Sequence, residues 1–234
     1  MNDLGIVLVE PRNPMNVGAV ARIMHNFGLQ RLVLVRPQVS VADEKAIATA
    51  HQSGHILEQA RIVDSLAEAC ADAEYTIATT NRDRRENRPV LTVRELPRLL
   101  ETQRVKRLDL VFGSETTGLT NEDIYFCDNI ATIPTAHPQT ALNLAQAVAV
   151  FAYELSNVPQ SDTVADLAIK SEKMRLRAAI QEVLDASRFR SAHTTEHFVS
   201  LLLRSLNRGM LEKRDINAWL KYHRHLLATL KPKD

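Results

Sequence analysis

Short, largely apolar runs alternate with helix-like stretches through the first 155 residues, and this alternation constrains the fold most. The strand-like runs are residues 6–9, 32–35, 75–79, 108–112 and 129–133. Helix-forming segments follow the first and last of them, at about 16–27 and 141–155. Runs that are largely apolar and continuous, rather than apolar at every second residue, belong to strands covered on both faces. Their alternation with helices predicts an α/β fold built on one parallel sheet flanked by helices.

Beyond this region the character changes. Residues 156–165, SNVPQSDTVA, are polar, contain Pro159 and have no period, which marks a linker. Helix-like stretches follow near 166–186, 194–207 and 212–230, with Gly209 before the last. The predicted layout is an α/β domain over 1–157, a linker over 158–165 and a small helical domain over 166–234. Charge segregates along the same line. Residues 166–234 hold 14 Lys/Arg against 8 Asp/Glu, whereas residues 1–165 hold 15 against 20, so a net charge of +1 conceals a basic C-terminal part. Such a part is either a footprint for a polyanion or a solvated helical surface.

Several function classes are set aside. No apolar run reaches the roughly 18 residues needed to span a bilayer. The N-terminus has no signal-peptide pattern, and Cys70 and Cys127 are isolated, so the expected location is cytoplasmic. No GxGxxG follows the first run. Residues 113–120, GSETTGLT, have the spacing of a phosphate-binding loop, but Leu119 stands where its lysine must be. His193, Glu196 and His197 form an HxxEH pattern, yet no third metal ligand is announced downstream, so no metal is expected. His51, His55, His223 and His225 read as loop or surface residues.

Three loops stand out because each follows a strand, and ligand sites in α/β folds form at the carboxyl ends of strands. The first is NPMNVGAVAR (13–22), where Asn16 is placed to cap a helix and Gly18 lets another backbone approach. Arg22, nearly two turns beyond Asn16, is expected to look toward the same pocket edge. The second, FGSETTGLTNE (112–122), has Gly113 and Gly118 around one carboxylate, Glu115, with Thr120 as a helix cap and Asp123 at its third residue. The third, IPTAHPQTALNLA (133–145), is held extended by two prolines and leads to Asn143 at the start of an Ala/Val-rich helix.

These loops, together with ATTNR (78–82), resemble in order and spacing the signature motifs of the SPOUT superfamily, in its TrmH/SpoU branch of RNA ribose methyltransferases. The resemblance covers about residues 5–155. It implies a parallel sheet whose last strands and helix form a deep trefoil knot, in a homodimer in which one subunit's RNA contacts complete the other's site. It implies transfer of a methyl group from S-adenosylmethionine to a ribose 2′-hydroxyl, with tRNA and its anticodon loop as the expected substrate. Carried over by position, Thr79, Thr80, Asn81, Gly113, Ile133, Thr140, Ala141 and Leu142 would hold the cofactor, largely through backbone groups. Arg22, Asn16, Glu115 and Asn143 would form the catalytic set, with Glu115 orienting Arg22 or a neighbouring loop. A guanidinium is already protonated, so Arg22 would stabilise the developing alkoxide while phosphate or water takes the proton.

Arg82, Arg84, Arg85 and Arg88 form a basic loop read as RNA phosphate contacts, with a solvated loop as the other reading. The chain departs from the pattern at Ser114, where tRNA-acting members often carry arginine, and at Ala141, which replaces a common hydroxyl residue. Those two positions keep open the alternative of a non-catalytic RNA-binding protein that retains the fold and pocket.

Overall fold

The computed structural model describes residues 3–81, 90–137, 141–156, 158, 165–187 and 210–230, with 189, 195, 198, 199, 201, 202 and 206 as single positions. Residues 1–163 and 164–234 form two compact units. In the first unit the strands are β1 (Asp3–Val9), β2 (Arg31–Val35), β3 (Arg61–Val63), β4 (Tyr75–Thr79), β5 (Val90–Thr92), β6 (Arg107–Phe112) and β7 (Asn129–Thr132). They form one sheet in the order β3-β2-β1-β6-β4-β7-β5. Every pairing is parallel. The five runs expected from sequence are the five interior strands. β3 and β5 gave no such signal because each is a three-residue edge strand with mostly solvent-accessible side chains.

A parallel sheet directs all its strand ends to one edge. β1, β6, β4 and β7 are consecutive neighbours, so the loops after residues 9, 79, 112 and 132 rise side by side. The interior strands are buried on both faces. Val7, Val9, Val33, Val35, Ala78, Val111 and Ile130 pack with Leu66, Cys70, Leu119 and Ile124 on one side. The alternate residues Ile6, Leu8, Leu32, Leu34, Ile77 and Leu110 are equally buried and face the other way. On that second face α1 (Pro14–Asn26) packs against α2 (Glu44–Ala50) and α7 (Leu144–Ser156). Phe112 of β6 meets Phe151 of α7 edge to face, with centroids 5.6 Å apart. α3 (Gly54–Glu58), α4 (Leu66–Ala69), α5 (Leu96–Gln103) and α6 (Asn121–Phe126) complete the unit among its described residues.

At the opposite edge of the sheet, Asp109 is fully buried and ion-paired with Arg31, which also reaches Asp3 at 2.9 Å. Gly5 makes this possible, since a Cβ there would strike the Arg31 guanidinium and the Asp109 carboxylate. Burial pushes the Asp109 carboxyl up, against the opposing pull of Arg31. Burial alone would lower the Arg31 guanidinium, but the attraction of Asp109 and Asp3 together raises it. Asp109 has no solvent exposure and one strong cation, whereas Arg31 sits between two carboxylates, which is why burial wins at one partner and loses at the other.

The second unit contains α8 (Lys170–Ala186) and a last helix, α9 (Lys213–Leu230). Leu176, Ile180, Val199, Leu211 and Ile216 form its core, with Leu220 packed against them. His223, expected at the surface, is buried here because it lies one turn from Leu220 on the inward side of α9. The HxxEH residues His193, Glu196 and His197 lie outside the described residues. No helix among the described residues is long and apolar enough to cross a membrane.

Candidate active site

The loop after β1 begins with Glu10 in a left-handed conformation, φ 50°, followed by Pro11. Asn13, not Asn16, caps α1: its Oδ1 accepts the Met15 N–H at 3.0 Å, and Pro14 occupies the first helical position. Asn16 is thereby moved into the first turn, where it is buried and freed for a different task. Its Nδ2 donates to Glu115 Oε1 at 2.9 Å, and its Oδ1 accepts from Asn143 Nδ2 at 2.9 Å. Asn143 in turn holds the start of α7, its Oδ1 accepting the Ala145 N–H at 2.9 Å. The three polar motif residues therefore form one chain of hydrogen bonds that joins three loops.

Glu115 is the fixed point of that chain. Besides Asn16, its carboxylate accepts the backbone N–H groups of Arg12 (2.9 Å) and Asn13 (3.1 Å). Burial alone would raise its pKa, but the hydrogen bonds from Asn16, its own backbone, Arg12 and Asn13 together hold it below the ordinary glutamate value. A carboxylate only accepts, so each amide in the chain has a defined orientation. Glu115 thus orients the neighbouring loop, the second of the two roles expected for it.

The loop that carries Glu115 folds back on itself. Gly118 N–H donates to the Ser114 carbonyl at 2.8 Å, and Gly118 has φ +64°. A Cβ on Gly113 would collide with the backbone of Gly118 and Leu119. Both glycines are thus explained by the turn. Thr120 and Asp123 close it as a reciprocal cap on α6.

Above the strand ends these loops enclose a cleft of about 190 Å³. Thr79, Thr80, Asn81, Gly113, Ile133, Ala141 and Leu142 all line it. Thr140 lies outside the described residues, as do Arg82, Arg84, Arg85 and Arg88. Glu115 lines the cleft, while Asn16 and Asn143 brace it from behind. Arg22 is exposed on α1 and does not line the cleft. The shared edge expected for Asn16 and Arg22 fails on helix geometry, since six residues turn through roughly 600°, about 120° short of two full turns. Leu144, Ala147 and Phe151 line the cleft as well, although no motif in the sequence marks them. Their spacing of three and seven puts them on one stripe of α7, a signal that could have found them. Ser114, a departure from the family pattern, is buried in the turn with its hydroxyl 3.2 Å from that of Thr116.

Residues 3–153 match the SpoU rRNA Methylase family. The chain belongs to that family. This SpoU methylase is 31% identical to the tRNA (cytidine-2′-O-)-methyltransferase TrmJ of Methanocaldococcus jannaschii, over 92% of this chain and 95% of that protein. It is 40% identical to the tRNA (cytidine/uridine/adenosine-2′-O-)-methyltransferase TrmJ of Pseudomonas aeruginosa, over 66% of this chain and 61% of that one. Among solved structures it resembles TrmJ from Z. mobilis, with a TM-score of 0.81 and 29% identity, over 97% of this chain and 99% of that chain. The extent of these matches means that the SpoU methylase resembles such relatives beyond its first unit as well.

Proposed function

We propose that this SpoU methylase transfers a methyl group from S-adenosylmethionine to a ribose 2′-hydroxyl of tRNA. The observation that carries the reading is the hydrogen-bonded chain Glu115–Asn16–Asn143, which braces the loops around a cleft lined by seven of the expected cofactor positions. The near full-length similarity to tRNA 2′-O-methyltransferases supports the substrate class.

The cleft suits the cofactor by its chemistry. Leu119, Ile133, Leu142 and Phe151 offer apolar surface to a flat base, while Thr79, Asn81 and Thr132 offer polar groups to a ribose and an amino-acid end. Glu115 is the single ionisable side chain among the described lining residues, and its carboxylate is already engaged. When bound, S-adenosylmethionine supplies an electrophilic methyl group whose leaving group is a neutral thioether, so no metal is called for. The turn of Ser114–Gly118 and the cap at Asn143 hold the cleft walls in place before the substrate arrives, the preorganisation on which such sites depend. The Arg22 guanidinium, which donates hydrogen bonds and does not accept them, stabilises charge on the ribose oxygen, and the hydroxyl proton passes to water or an RNA phosphate. Because Arg22 is exposed, it engages the ribose once RNA or a second subunit covers the site. The homodimer and the deep trefoil knot through the C-terminal part of the sheet belong to this proposal, as do Arg82, Arg84, Arg85 and Arg88 as phosphate contacts. So do the domain boundaries 1–157 and 166–234, with the basic second domain binding tRNA.

Incubation with methyl-labelled S-adenosylmethionine and total tRNA, followed by mapping of the labelled nucleotide, tests the reading. Label on a ribose oxygen of tRNA is expected. Cofactor binding without transfer to any RNA would overturn it in favour of a non-catalytic RNA-binding protein.

A further inference from the structure

We propose that α9 carries a base-stacking platform for unpaired RNA, built from Trp219 and Tyr222. The identity of the RNA as a tRNA rests on the methyl-transfer reading; the platform itself rests on the geometry of α9.

Large aromatic side chains on a helix normally turn inward, and here the inward positions are already filled. Ile216 and Leu220 pack into the core of the second unit, and His223 is buried beside them. Trp219 and Tyr222, three residues apart, remain 37% and 53% exposed. Their rings stand 6.1 Å apart, each within 6 Å of the buried His223 ring, at 5.9 and 5.8 Å. His223 is fixed in turn by its Nδ1, which donates to the Trp219 carbonyl at 2.7 Å, since a carbonyl can only accept. The exposed rings thus stand on a rigid base, which lowers the entropy lost when a flat ligand settles on them.

Charge selects the occupant. From Ile216 to Leu230 there is no Asp or Glu, while Lys221, Arg224 and His225 are all exposed. His225 lies three residues beyond Tyr222 and therefore beside it on the helix surface, and Lys221 and Arg224 add exposed positive charge to the same helix. A second copy of this face would set these cations against their like. A polyanion with accessible π faces matches both features, and unpaired RNA has both; in a duplex the base faces are stacked away.

Trp219 is the only tryptophan in the chain, so its fluorescence reports on this face alone. The full-length protein is titrated with a short unstructured oligoribonucleotide and, separately, with the same sequence annealed into a duplex. The single strand should quench Trp219 and the duplex should not. Tyr222→Ala should weaken single-strand binding about tenfold, with Tyr222→Phe close to wild type. Lys221→Gln should lower the salt slope by about one. Circular dichroism of each variant checks that α9 is intact. Unchanged fluorescence with bound single strand, equal quenching by both forms, or a signal that follows protein concentration alone would each overturn the platform, the last by showing self-association. Methyl transfer to tRNA, assayed in parallel, separates the two readings. Transfer without quenching sinks the platform alone, and quenching without transfer to any RNA sinks the enzymatic reading alone.

Discussion

Asn143 and Asn16 stand 127 positions apart in the chain, yet the Asn143 amide donates directly to the Asn16 side-chain oxygen at 2.9 Å. The order of donors along this contact is dictated from its far end. Glu115 can only accept, so Asn16 must turn its NH2 toward it and its oxygen toward Asn143, which leaves the Asn143 oxygen for the first turn of α7.

Asn16→Asp tests that order. The substitution sets a second carboxylate against Glu115 and leaves no donor between them. Stability should fall by about 1–3 kcal/mol at neutral pH, with a smaller loss at low pH once the pair shares a proton. Urea unfolding at two pH values measures both, and cofactor affinity should fall with it as the Glu115 loop loses its tie to α1, while the bond from Asn143 is kept by the aspartate oxygen.

Glu115→Gln addresses acid stability. The folded protein holds the Glu115 carboxyl below its ordinary value, so its contribution is present above the unfolded value and is lost as pH falls through the folded one. Wild type and variant should therefore differ most at neutral pH and converge in acid. A constant difference across that range would show that the hydrogen bonds do not depend on the charge.

Gly113 and Gly118 should respond unequally to alanine. A Cβ on Gly118 points into open space, so Gly118→Ala bears the left-handed backbone penalty of about 1–2 kcal/mol. A Cβ on Gly113 meets the backbone of Gly118 and Leu119, so Gly113→Ala must shift the turn that walls the cleft. Calorimetric titration with S-adenosylmethionine should show the larger loss of affinity for Gly113→Ala.

Arg22→Ala should abolish methyl transfer while leaving cofactor affinity within about threefold, a negligible shift in binding energy. The reason is positional: Arg22 is exposed and outside the cleft lining. A large loss of cofactor binding in the same titration would contradict its assignment to the ribose.

Arg31→Ala should destabilise the fold by about 3 kcal/mol, because it takes the ion-pair partner from the buried Asp109 carboxylate and leaves only the weaker pull of Cys70 and Arg107. Burial already raises Asp109, and without Arg31 it rises further. The cost of a raised carboxyl appears as pH rises through its folded value, so the variant should recover stability as pH is lowered. Denaturation midpoints across that range decide it.

The parallel α/β architecture is legible in the sequence, because interior strands covered on both faces are apolar in continuous rather than alternating runs, Asp109 in β6 being the charged exception. The sequence also marked the loops that rise around the cleft, since a parallel sheet sends every such loop to one edge, while the individual lining positions came from the family resemblance. Hydrophobic pattern and turn chemistry are local properties, and they are legible in one dimension. The short edge strands β3 and β5 were not, because three half-exposed residues carry no pattern. The role of Asn16, by contrast, emerges from the folded chain. Its sequence neighbours make it look like a helix cap, but Asn13 takes that role, and Asn16 is claimed by Glu115 and Asn143 from 99 and 127 positions away. The tertiary structure separated Arg22 from that network as well, by the plain rotation of a helix between them. Hydrogen bonds between distant loops depend on how the sheet brings strand ends together, and no local signal records which side chains then meet.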